Sequence, residues 1–232
     1  MILLLTRKPF TGERWQEPRY LKSLCDLGYT IEKTYYSHHY PAKAIQDSEV
    51  PPKFRQRYKE AIGKGYAFST AKGKDFNEVI MDIYELLVPL YVNFPIGKNI
   101  TKEAFTAMFK PLQHLIDPDL LHLVRWHGKL VAVLLTLPDY GTLPYGNPGL
   151  LDILKILWLK KYSKHYIHLY MAVAKGHESL GQAIMYLQYL EIKKRKAGTT
   201  AALVHQGKLT GIYGKALENA YTEYLLLSKK LE

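Results

Sequence analysis

The stretch Val173-Ala174-Lys175-Gly176-His177-Glu178-Ser179-Leu180-Gly181-Gln182-Ala183 lies where a run of strand formers gives way to helical spacing. A helix start presents backbone N–H groups and the positive end of the helix dipole, so it attracts phosphate. Gly181 and Ala183 are small enough for a diphosphate to approach the main chain. The same residues equally suit an ordinary helix start with a small side chain packed on a sheet. Glu178 opposes an anion by its own charge, with Lys175 and His177 as the nearest cations to offset it.

Other reactive side chains form weaker patterns. His38 and His39 are adjacent in a run of strand formers and point to opposite faces, which makes them a poor metal pair. His165 and His168 diverge in the same way. There is no cysteine cluster, helical His-x-x-x-His, serine nucleophile elbow or Walker loop, so no metal is expected. Cys25 stands alone, which forbids an internal disulfide and fits a reducing compartment.

The elements that must position these residues follow from spacing. Ile2–Leu5 reads as a short strand, Arg19–Leu27 as a helix stopped by Gly28, and Tyr29–Tyr40 as a strand closed by Pro41. Lys53–Lys64 is a charged helix with the look of a linker. Tyr66–Thr70 is a strand, and Asp75 and Thr101 are suited to cap two further helices. Leu120–Trp126 and Leu130–Leu137 form a hairpin around His127-Gly128-Lys129. Tyr166–Val173 is a strand, Ser179–Ala197 a helix, Thr200–Val204 a strand, Thr210–Asn219 a helix and Tyr221–Leu227 a strand. Helices alternating with strands around one hairpin predict a mixed α/β sheet.

Leu150–Lys161 is strongly apolar, and its ordinary reading is a helix buried in the core or facing a partner. A sharper reading is a helix at a membrane surface or one that binds an acyl chain, since Trp158 and the lysines suit an interface. The chain has 232 residues, enough for one large domain or a domain plus a fragment. Ile2–Leu5 is too short for the apolar core of a signal peptide, and no stretch approaches the ~20 apolar residues of a membrane span. A cytoplasmic protein is expected. The net charge of +11 favours anionic partners, whether nucleic acid, an acidic membrane or a phosphate-rich cofactor. The tight run Lys193–Lys196 ends a predicted helix, where cations also offset the dipole. With no RNA-recognition or KH-type signature among the tyrosines and basic residues, nucleic-acid binding is the lesser alternative.

Tyr20, Lys22, Leu24, Tyr29 and Thr30 align with Tyr213, Lys215, Leu217, Tyr221 and Thr222 if one gap is allowed. This suggests a division into a partial repeat over 1–45, a linker helix over 46–64 and a main domain over 65–232, with duplication and chance both open.

From Gly65 onward the order of elements resembles the GNAT acyltransferases: strand, two helices, hairpin, strand, long helix, strand, helix, strand. Glu178, Gly181 and Ala183 occupy the positions where that family places Arg or Gln, Gly, and Gly or Ala. Asp117-Pro118-Asp119-Leu120 and Gly128-Lys129 resemble a bacterial subgroup with tandem repeats, here with a truncated first repeat. The resemblance covers about the last 165 residues. It implies a mostly antiparallel central sheet flanked by helices, and transfer of an acetyl or acyl group from an acyl-CoA to a small-molecule or peptide amine. It also implies that Val173 meets the acyl group while Ser179, Gly181, Gln182 and Ala183 hold the pyrophosphate. The chain departs from the family at three places. Glu178 is acidic, the usual Asn is replaced near Thr210, and the usual Tyr general acid falls at Leu217, with Tyr213 the nearest substitute. The expectation is therefore an N-acyltransferase, with a catalytically degenerate binding or homodimerisation module of the same fold as the alternative.

Overall fold

The computed structural model describes residues 9–13, 19–91, 100–145, 147, 149–205 and 220–230. The expected strand Ile2–Leu5, the expected helix Thr210–Asn219 and its Tyr213 lie outside them. The described elements are α1 (Arg19–Asp26), β1 (Thr30–Tyr40), α2 (Ala42–Asp47), α3 (Pro52–Gly63), β2 (Ala67–Thr70), α4 (Phe76–Tyr91), α5 (Lys102–Phe109), β3 (Leu121–Trp126), β4 (Lys129–Pro138), α6 (Leu150–Tyr162), β5 (His165–Val173), α7 (Leu180–Arg195), β6 (Gly198–His205) and β7 (Ala220–Ser228).

Local chemistry sets several boundaries. Asp75 Oδ1 accepts from the Glu78 N–H at 3.0 Å, and Thr101 Oγ1 accepts from the Ala104 N–H at 3.2 Å, so each satisfies an amide left over by its helix start. Gly28 follows α1 with φ of 84°, the left-handed stop that glycine takes without strain. The β3–β4 hairpin turns on His127 and Gly128, both at positive φ, between the paired Trp126 and Lys129.

The described strands form one seven-stranded sheet in the order β2-β3-β4-β5-β6-β1-β7. Every neighbouring pair is antiparallel except β5–β6, which is parallel. One face packs against α4 and α5, where Val79, Ile80, Ile83, Phe105 and Phe109 meet Leu121, Leu123 and Leu135. The opposite face packs against α7, where Leu180, Ala183 and Ile184 meet Val124, Ala132 and Leu134. The helix over 52–63, linker-like in composition, is part of this layer. Its Phe54 and Ala61 are buried, and Ala61 belongs to the same core as α7. The polar connection after Pro41 contains the short α2, whose Ile45 packs with Tyr40, Tyr166 and Tyr189.

Strand β1 is an inner strand between β6 and β7. Its ladder with β7 runs from Thr30 opposite Ser228 to His39 opposite Ala220. The strands reached at the ends of the two stretches that share residues in sequence, β1 and β7, are thus direct antiparallel neighbours.

Helix α6 departs from the core half of its ordinary reading. None of its residues is buried, so it is not a core helix. Its apolar residues run round most of the helix circumference, while only one side can face the protein. Periodicity cannot tell such a helix from a buried one.

Candidate functional site

Strands β5 and β6 pair only over His165–His168 against Gly198–Ala201. Beyond His168 they part. β5 stays on β4 as far as Val173 opposite Ala132, while β6 follows β1 to His205 opposite Tyr35. Each strand is irregular at the parting. In β5, His168 and Tyr170 face the consecutive Thr136 and Leu135, leaving Leu169 as an extra residue. Such a bulge bends its strand and increases local twist. In β6, Leu203 is held at φ of 51°, an unusual conformation for a bulky residue, and its N–H donates to Ser37 Oγ at 3.1 Å. Backbone strain of this kind concentrates at functional sites. The result is a wedge-shaped divergence of the two strands toward the carboxyl end of β5.

The turn from β5 into α7 stands at that divergence. The Ala174 N–H donates to Val131 O at 2.8 Å, which ties the turn to the sheet. Gly176 has φ of 86° and Tyr66 Oη lies 2.7 Å from His177 Nδ1, so the loop is held from two sides. Lys175, Gly176, Glu178 and Ser179 are exposed, Val173 and Gln182 are half-buried, and Gly181 and Ala183 are buried. Ala183 is wholly enclosed in the core beside Leu134 and Ile184. Its side chain therefore serves packing, and anything held at this turn meets the segment around Glu178 and Ser179. The Leu180 N–H already donates to His177 O at 2.9 Å. The Glu178 carboxylate accepts from the Gly176 N–H at 2.8 Å, and backbone hydrogen bonding holds it below the usual carboxylate range. A charged acceptor thus occupies one of the donors that a phosphate would use.

The histidines are distributed over separate sites. His168 Nδ1 bonds Thr136 Oγ1 at 2.9 Å. Burial, with nearby His165 and His122, pushes its pKa down to about 3, which makes it a weak proton acceptor at neutral pH. His165 Nε2 and His39 Nδ1 both lie 2.8 Å from Thr200 Oγ1, and His39 Nε2 is 3.0 Å from Thr222 Oγ1. This hydrogen-bonded row crosses β5, β6, β1 and β7. No group of three or more potential metal ligands occurs among the described residues.

A feature absent from the sequence reading is the contact of His122 with Gln188. The two side chains bond at 2.9 Å between β3 and α7, and Gln188 Nε2 is buried without a hydrogen-bond partner. Desolvation lowers the pKa of His122. It lines a groove of about 520 Å³ with Tyr58, Phe68, Lys72, Leu190 and Lys194. His122 and Gln188 are 66 positions apart, so no local pattern marks the pair.

The basic run at the end of α7 is largely committed to structure. Arg195 bonds Asp117 at 2.8 Å and Glu191 at 2.7 Å and lies 5.4 Å over the Tyr166 ring, while Lys193 Nζ donates to Ser48 O at 2.6 Å.

The fold is a seven-stranded, mostly antiparallel sheet with helices on both faces, whose strands part at the parallel pair. No protein-family model and no curated protein sequence matches the chain. Among solved structures, it is similar to the C-terminal domain (DUF2156) of a protein described as a lysylphosphatidylglycerol synthetase from Agrobacterium fabrum. There the TM-score is 0.52 at 9% identity, covering 91% of this chain and 65% of that one. It is also similar to a conserved protein of unknown function from Bacteroides thetaiotaomicron, with TM-score 0.51 and 10% identity over 88% of this chain and 67% of that one. The chain thus spans about two thirds of each solved chain, and at such identity the likeness is one of fold.

Proposed function

We propose that the chain transfers an acyl group from a phosphate-bearing carrier, acetyl-CoA or another acyl-CoA, to a small-molecule or peptide amine. The observation that carries the reading is the parting of β5 and β6 beyond His168, with the exposed Lys175–Ser179 turn at its mouth. An extended donor fits between strands that no longer bond each other, and their freed backbone groups can hold it. The carrier's phosphates lie near the start of α7, within reach of Lys175 and the amide of Ser179. Catalysis in such a site rests on positioning the reacting groups and on a backbone N–H near Val173 facing the acyl oxygen.

A second reading has its own support. The Glu178 carboxylate on the Gly176 N–H and the burial of Gly181 and Ala183 favour a fold that has lost pyrophosphate binding and serves as a binding module. The likeness to a domain of a lysylphosphatidylglycerol synthetase adds an aminoacyl-tRNA as a donor to set against acyl-CoA.

Calorimetric titration and thermal shift with acetyl-CoA separate these readings. A ligand at a hundred times its dissociation constant stabilises by about 2.7 kcal/mol. Ser179→Glu should remove the shift, because its carboxylate would face the phosphates from an exposed position. Gly181 is unsuitable for this test because a side chain there would disturb the core. Absence of any shift at millimolar acetyl-CoA would defeat the acyl-CoA reading, and the same titration with an aminoacyl-tRNA would then decide between another donor and a binding module.

A further inference from the structure

Helix α6 turns its apolar side to solvent. Leu150 and Leu151 are 75% and 80% exposed, and Ile153, Leu154, Leu157 and Trp158 between 45% and 58%. At about 100° per residue, these six fall on one half of the helix. Even at roughly 100 Å² each, they and the half-exposed Tyr162 make a patch at or above the largest apolar patch of a typical monomer. Contacts between α6 and the other described elements are slight. The helix is nevertheless fixed in place. The Ser163 N–H donates to Leu159 O at 2.9 Å, Ser163 Oγ donates to His165 O at 2.6 Å, and Lys160 Nζ donates to His114 O at 2.8 Å.

Its charges are one-sided. Asp152 is the only acid on the helix, and its Oδ2 accepts from the Gly149 N–H at 3.0 Å at the helix start. Lys155 is exposed beside the apolar half, and Lys161 is exposed within that half at the last turn, where its Nζ lies 5.2 Å over the Tyr162 ring.

We propose that α6 docks the protein on a membrane surface that carries anionic lipid. The helix lies flat, with Leu150, Leu154, Leu157 and Trp158 among the acyl chains, Lys155 at the headgroups, and Lys161 in the last turn extending its stem back to them. Its 13 residues extend roughly 20 Å, too short to cross a hydrocarbon core of about 30 Å but suited to lying within the interface. Charge selects the occupant. The net charge of +11 attracts an anionic bilayer, whereas pairing two copies through this face would bring like-charged lysines and two strongly cationic proteins together. An apolar insertion and a cationic rim together supply the two signals that stable peripheral binding requires.

Co-flotation of the full chain with vesicles tests this without reference to any acyl donor. Vesicles of phosphatidylcholine with roughly one-third phosphatidylglycerol should carry the protein up the gradient, with pure phosphatidylcholine retaining much less. Raised salt should weaken the binding. Leu154→Glu with Trp158→Glu should cut the bound fraction at least tenfold, and Lys155→Gln or Lys161→Gln about fivefold each. These residues are solvent-facing, so thermal melts should match the parent and exclude misfolding. Absence of flotation, or flotation untouched by the double substitution, would overturn the proposal. So would a dimer in light scattering that the double substitution dissolves while vesicles fail to bind, since the face would then belong to a second copy.

Discussion

Thr136 Oγ1 and His168 Nδ1 lie 2.9 Å apart across β4 and β5, where β5 carries its extra residue. Part of His168 reaches the surface, yet burial dominates and pushes its pKa down to about 3 from an ordinary value near 6.5. Between those values the unfolded chain takes up a proton that the folded chain refuses. Stability from this site is therefore complete above pH 6.5 and lost as pH falls toward 3, by at most about 1.4 kcal/mol per pH unit. His122, lowered by desolvation, acts in the same direction. Urea unfolding followed by circular dichroism from pH 7 to pH 4 should show the decline, and His168→Asn should flatten it. An unchanged slope in the variant would assign the pH sensitivity to other groups.

Replacing Glu178 tests the turn at the mouth of the wedge. Glu178→Gln removes the charge facing an incoming phosphate and weakens its hold on the Gly176 N–H. On the donor reading, affinity for acetyl-CoA rises roughly threefold to tenfold by calorimetry. Folding stability should be nearly unchanged, since the residue is exposed.

Two glycines should respond in opposite directions. A Cβ on Gly198 would sit 2.9 Å from Tyr40 O, 3.0 Å from His165 Nδ1 and 3.1 Å from Ala42 N, two of them backbone atoms with little room to move. Gly198→Ala should cost about 1–3 kcal/mol in chemical denaturation. Gly63, in the last turn of α3, has nothing within 4 Å of its virtual Cβ. Gly63→Ala should add about 0.4–1 kcal/mol by reducing the freedom of the unfolded chain.

The link between Arg195 and Asp117 joins the end of α7 to the turn before β3, with side chains 18% and 14% exposed. Arg195→Met leaves the Asp117 charge poorly compensated and should cost about 2–4 kcal/mol. The double variant Arg195→Met with Asp117→Asn should recover part of that loss. A double-mutant cycle on denaturation midpoints measures the coupling, and strict additivity would show that the two groups stabilise independently.

Local signals were enough to locate most described elements. Asp75, Thr101, Gly28 and the His127-Gly128 turn act through atoms within a few residues of themselves, so their effects are readable along the chain. Strand and helix periods set the order of elements and, through it, the mixed sheet. What the chain alone left open depends on partners far away in sequence. The seat of β1 between β6 and β7 is decided by ladders between residues at least 159 positions apart, and the contact of His122 with Gln188 by packing of α7 on β3. The crowding at Gly198 exists only because α2 and β5 converge there. Ala183 reads equally well as a phosphate contact or a packing residue, and only the fold shows that its side chain is enclosed in the core. The apolar run of α6 fits a core helix as well as a surface one, because composition records which residues avoid water but not what covers them; only the arrangement of the neighbouring elements places Leu150–Tyr162 outside.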